Sequence, residues 1–166
     1  AFCRTPCPDN DADKLAMVQA RVVKKDPVAM NHLGDKYCHG KNGLQKDMRK
    51  ALELWTEAAE LGSLKALFIL GVVHHTGEGV EKNMAKAAEF YTKAAMQGCP
   101  LSRHNLGCIE DGHGNYNRAV KHFLISAKMG HEKSVESIKK MFTAGNATKE
   151  PYAEALKGYQ DAVEEM

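Results

Sequence analysis

Residues 66–98 read ALFILGVVHHTGEGVEKNMAKAAEFYTKAAMQG, and residues 29–62 read AMNHLGDKYCHGKNGLQKDMRKALELWTEAAELG. Laid on each other, they match Leu33-Gly34 with Leu70-Gly71, Ala51 with Ala87, Trp55 with Tyr91, Ala58-Ala59 with Ala94-Ala95, and Gly62 with Gly98. The ladder continues down the chain. From Ala51 the alanine column runs through Ala87, Ala119 and Ala155 at intervals of 36, 32 and 36, and Phe123 and Tyr159 extend the aromatic column in step. Leu106-Gly107, Ser126-Ala127 and Gly130 fill the remaining columns. Several columns in one register define a tandem array, the mark of a repeat architecture.

Each unit reads as two helices. In the first, Ala29, Leu33 and Tyr37, or Ala66, Leu70 and His74, fall four apart and line one helical face. The glycine after each leucine lets a neighbouring helix approach closely, which offsets its helix-propensity cost of about 1 kcal/mol. Gly40 and Gly43, or Gly77 and Gly79, punctuate the loop that follows. In the second helix Ala51, Trp55 and Ala58-Ala59 form an inward stripe, and Gly62 and Gly98 sit where a left-handed cap favours glycine. Asp26-Pro27 is a start signal, an N-cap followed by proline at the first helical position.

The departures are confined to the loops and the ends. The third unit lacks four residues between Gly107 and Ala119, which shortens a polar turn at Glu110–Asn117. The fourth replaces Leu-Gly by Ile138-Lys139, as suits a polar terminal cap. Projected upstream, the register places Lys14, Val18 and Val22 on a lone second-type helix. The expected fold is all-α, an αα-superhelix forming a right-handed solenoid of helix-turn-helix repeats. A leader at 1–10 and a capping helix at 11–26 precede repeats at 27–63, 64–99, 100–131 and 132–163.

The pattern A-x3-LG-x2-Y-x2-G, then a D/N-x3-A-x3-(W/Y)-x2-AA-x2-G helix, resembles the Sel-one-like repeat, a relative of tetratricopeptide arrays. Ala29-Met-Asn-His-Leu-Gly through Gly62, and Ala66-Leu-Phe-Ile-Leu-Gly through Gly98, carry it. The resemblance implies an adaptor that holds proteins together. Some bacterial members act on β-lactams, but those carry a regular cysteine pair in each repeat, and Cys38, Cys99 and Cys108 occupy different columns.

The leader Phe2-Cys3-Arg4-Thr5-Pro6 is not solenoid sequence. It is similar to the closing segment of a RING finger, where the last zinc pair sits in a Cys-Pro-x-Cys turn. That resemblance makes Cys3 a zinc ligand whose mate would stand just before Ala1. It makes Arg4 the cation that ubiquitin ligases use to hold the conjugating enzyme and ubiquitin together. Against it, Ala1 stands where proline is usual, and a Cys/Pro-rich leader is the alternative. Cys3 and Cys7 are too few thiolates for a closed zinc site, so no cofactor is expected in this chain by itself.

Composition narrows the function classes. The 166 residues carry a formal net charge of only +2, which argues against a nucleic-acid surface. No apolar run approaches the roughly 20 residues of a membrane span. Five cysteines do not make a disulfide scaffold, and an intracellular compartment, cytoplasm or nucleus, is expected. His74 and His75 are adjacent and cannot share a helical face, while His104 and Cys108 are at metal-compatible spacing with no third ligand in view. Ser137-Ile-Lys-Lys140 satisfies Ser-x2-Lys without the companion motifs of a β-lactamase, so no enzyme activity is expected.

In αα-solenoids the first helices line the concave side, where a protein or peptide docks. Outside the repeat columns they offer His32, Asp35 and Lys36; then Phe68, Ile69, Val72 and Val73; then His104, Asn105 and Cys108. These are the expected partner-binding residues. Two main readings follow: an adaptor, the substrate-recruiting region of a RING-type ubiquitin ligase if the finger precedes it, or an architectural subunit or assembly factor of a larger complex; a hydrolase of the β-lactam-binding kind is a distant third.

Overall fold

The computed structural model describes residues 11–165. These form the helices α1 (Asp11–Val23), α2 (Pro27–His39), α3 (Met48–Glu60), α4 (Leu64–Thr76), α5 (Met84–Met96), α6 (Pro100–Gly112), α7 (Tyr116–Lys128), α8 (Glu132–Thr143) and α9 (Lys149–Glu164). The chain is an all-α helical repeat solenoid, as the column register requires. It divides into two compact units, one ending at Leu70 and the other beginning at Gly71, with the division inside α4. No described helix is long and apolar enough to cross a membrane.

The repeat columns correspond to repeated contacts. Ala51, Ala58, Ala87, Ala94, Ala119 and Ala155 are all fully buried, because only a methyl fits where neighbouring helices cross. Each glycine after the leucine carries the next helix's aromatic ring. A Cβ built on Gly34 would lie 2.6 Å from Trp55 Nε1, one on Gly71 2.5 Å from Tyr91 Cδ1, and one on Gly107 2.6 Å from Phe123 Cε1.

The loops repeat as well. The N–H groups of Asp47, Asn83 and Asn115 donate to the carbonyls of Tyr37, His74 and Glu110, at 2.9, 2.8 and 2.8 Å. Asp47 and Asn83 then cap α3 and α5 through Lys50 N and Lys86 N. The third loop keeps its closing bond although α6 and α7 are joined by only residues 113–115. Gly62, Gly98 and Gly130 take φ of 84°, 88° and 83°, the left-handed turn expected of that column.

In the first unit Met30, Ala58 and Ala66 form a buried cluster against which Val22 of α1 packs, so α1 is held by its apolar edge. In the second, Phe123, Val135, Ile138, Met141 and Ala155 join α7, α8 and α9. The C-terminal pair departs from the expected polar end. Phe142, Leu156 and Val163 are exposed, and Tyr159 is half-buried where Trp55, Tyr91 and Phe123 are buried.

Candidate functional site

The expected binding residues lie on α2 and α4 in the first unit and on α4 and α6 in the second. In the first unit, His32 and Lys36 are one turn apart on α2 and face α1 across a groove of about 260 Å3. Met17 and Val18 give the groove an apolar floor, and Lys14 and Arg21 complete its rim. No carboxylate of the described residues lines it. Asp35 turns away to Lys65 Nζ at 2.8 Å, and Lys36 Nζ hydrogen-bonds Asn42 Oδ1, a neutral acceptor that does not offset its charge.

Asp26 is the nearby acid, and its carboxylate is already engaged. Arg21 Nε donates to it at 2.8 Å, and Val28 N and Ala29 N donate from the start of α2. The guanidinium foremost, aided by these N–H groups, holds the Asp26 carboxyl below the usual carboxylate range. Phe68 and Ile69 of the same unit are half-buried.

The second unit holds the remaining expected residues. Val73 is 5% exposed and belongs to the core, so it does not offer a partner surface, contrary to the expectation from sequence. The physical reason is that the run Leu67 to Val73 is apolar on every face, which hides the inward direction. Val72 is half-buried.

On α6, His104 Nδ1 is 2.9 Å from Ser134 Oγ, its ring lies edge-on to His131 at 4.8 Å between centroids, and Cys108 Sγ is 3.5 Å from its Nε2. Burial, with the nearby charges of His131 and Lys133, brings the His104 pKa down to about 4. Burial likewise raises the Cys108 thiol, with Asp111 adding to it. A neutral imidazole beside a protonated thiol is the reverse of an activated Cys–His pair. Asn105 hydrogen-bonds the Tyr91 side chain, whose pKa burial lifts to about 12. No group of three metal-compatible side chains occurs among the described residues.

The other reactive types are also tied up. Ser137 Oγ donates to Lys133 O at 3.0 Å within its own helix. His74 stacks on Phe90 at 5.7 Å and His75 meets the Tyr91 ring edge-on at 6.2 Å. Burial, then the Lys86 charge, lowers the His74 pKa. Cys3 and Arg4 lie outside the described residues. The α1 side of the groove, Lys14, Met17, Val18 and Arg21, is not evident from the sequence read alone as a capping helix; its signal is the basic spacing Lys14 to Arg21 beside an apolar pair.

No curated protein matches the chain. Among solved structures it is similar to c5321, a protective antigen of uropathogenic Escherichia coli strains displaying an SLR fold, with 28% identity and a TM-score of 0.76 over 91% of this chain. It also shares its fold with a Sel1 repeat protein from Oxalobacter formigenes, at 22% identity and a TM-score of 0.76 over 93% of this chain. The chain spans 33% of the first of these proteins and 64% of the second. The profile of the Sel1 repeat matches residues 27–63, 64–99 and 100–131. The chain belongs to the Sel1 repeat family.

Proposed function

We propose that this chain is a non-catalytic scaffold whose α1–α2 groove holds an acidic, amphipathic segment of a partner protein. Sel1 repeat proteins act generally as protein-interaction scaffolds. One observation carries the finer reading: Lys14 and Lys36 stand on the groove rim with His32 and with Arg21, whose charge Asp26 offsets, over Met17 and Val18, and no acidic residue lines the groove itself. A segment with a carboxylate at each edge and one apolar side chain between them complements that arrangement. His32 and Lys36 would meet it first, while Asp35, paired with Lys65, stays off the groove; Phe68 and Ile69 in the same unit, and separately Val72, His104, Asn105 and Cys108 in the other, are the remaining candidate contacts. A peptide array probed with the labelled chain tests this. Enrichment of Asp/Glu-rich sequences with one or two leucines supports the reading, and enrichment of Lys/Arg-rich or uncharged sequences defeats it.

A second reading sets the scaffold in the cytoplasm or nucleus behind a RING finger, as the substrate-recruiting region of a ubiquitin ligase, with zinc held partly by Cys3 and with Arg4 contacting ubiquitin. Its support is Phe2-Cys3-Arg4. The transcript upstream of Ala1 tests it: a cysteine codon directly before Ala1 and six further Cys/His ligands at RING spacing support it, and an unrelated leader removes it. The architectural-subunit reading differs in exchange, since a fixed subunit would not release its neighbour on dilution.

A further inference from the structure

The fourth helix pair breaks the rule that the first three obey. Where Gly34, Gly71 and Gly107 let an aromatic ring rest on the backbone, the same column holds Lys139. Tyr159 is only half-buried where Phe123 seats on Gly107, and a cleft of about 400 Å3, bordered by Lys139 and Tyr159, opens between α8 and α9. Its floor is Val135, Tyr152, Leu156 and Tyr159. Phe142, stacked on Tyr152 at 6.5 Å, and Val163 of α9 are 39% and 44% exposed. Val163 falls in the column of Ala59, Ala95 and Ala127, none of which is exposed. Exposed apolar side chains gathered at a cleft in this way mark an interaction site.

The charges around the cleft indicate what covers it. Along one face of α8 they run Glu132, Glu136, Lys139, Lys140, acidic in the first half and basic in the second. Such an order also suits the dipole of α8, but the dipole gives no reason for the open apolar floor beside it. An antiparallel copy of the same helix places Glu136 against Lys139 of its mate and, by symmetry, Lys139 against the mate's Glu136. This is the self-complementarity that a two-fold interface needs.

We propose that the α8–α9 end of this chain is a self-association surface on which two copies pair about a two-fold axis, burying Leu156 and Tyr159 between antiparallel α8 helices. Glu136 and Lys139 are exposed, so reversing their charges leaves the core of each copy intact. Sedimentation equilibrium on the whole chain, from low micromolar to several hundred micromolar, tests the pairing. The unaltered chain should form a dimer. Glu136→Lys alone and Lys139→Glu alone should each weaken it by about tenfold or more, since each sets like charges face to face. The double reversal should restore it, and an equimolar mixture of the two single variants should form a heterodimer. A chain that stays monomeric throughout, because some other protein covers this end, overturns the proposal. So does a dimer indifferent to both reversals.

Discussion

Tyr91 of α5 rests its ring on the α4 backbone at Gly71, so closely that a Cβ on that residue would lie 2.5 Å from Cδ1 and Cε1. The ring is 1% exposed and has nowhere to retreat. Gly71→Ala should therefore destabilise the chain by about 2 kcal/mol, in the range of core overpacking. Gly112 is the control: it lies in α6, and a methyl added there would meet nothing within 4 Å, so Gly112→Ala should stabilise by about 0.5–1 kcal/mol. Denaturant unfolding of both variants checks the pair. Equal effects at the two positions would show that the glycine column is not a packing device.

Ser63 joins two repeats through one hydroxyl. It accepts from Asn31 Nδ2 at 2.6 Å and from Ala66 N, the first turn of α4, at 3.3 Å. Asn31 is 3% exposed and its Oδ1 already lacks a partner. Ser63→Ala removes a cap and strands a buried amide, so a loss of about 2 kcal/mol is expected. Ser63→Thr, which keeps the hydroxyl, should recover most of it. A loss below a few tenths in Ser63→Ala would show that water replaces the hydroxyl freely.

The imidazole of His104 should make stability depend on pH. Its folded pKa is about 4 against an ordinary 6.5, so between those values the unfolded chain binds a proton that the folded chain refuses. Stability is then full above pH about 6.5 and falls as pH drops towards 4. His74, His122 and His131 are shifted in the same direction, chiefly by burial, and add to the slope. Thermal midpoints measured from pH 7.5 down to 5 should decline, and His104→Gln should flatten the decline. An unchanged slope in that variant would assign the effect to other groups.

The fold is legible in the sequence because small residues cannot hide their purpose. Gly34, Gly71 and Gly107, and the alanines at 51, 87 and 119, recur where helices must touch, and each recurrence corresponds to a close contact. The inward side of α4 is not legible, since Phe68, Ile69, Val72 and Val73 give every direction the same hydrophobicity. Val73 therefore passes for a surface residue. The basic groove is hidden for another reason. His32 and Lys36 stand out on α2, but α1 carries none of the repeat columns' small residues, and only packing Val22 against Met30 and Ala58 brings Lys14 and Arg21 opposite them.

The central claim is that the α1–α2 groove recognises acidic segments by charge. It is tested most directly by a fluorescence anisotropy titration of one Glu/Leu-rich peptide and its Lys/Leu-rich counterpart. The unaltered chain is compared with Lys14→Glu/Lys36→Glu at low and at physiological salt. The groove predicts binding of the acidic peptide alone, weakening as salt rises and falling at least tenfold in the double variant. Equal binding of both peptides, or acidic-peptide binding that survives the double reversal, would contradict it.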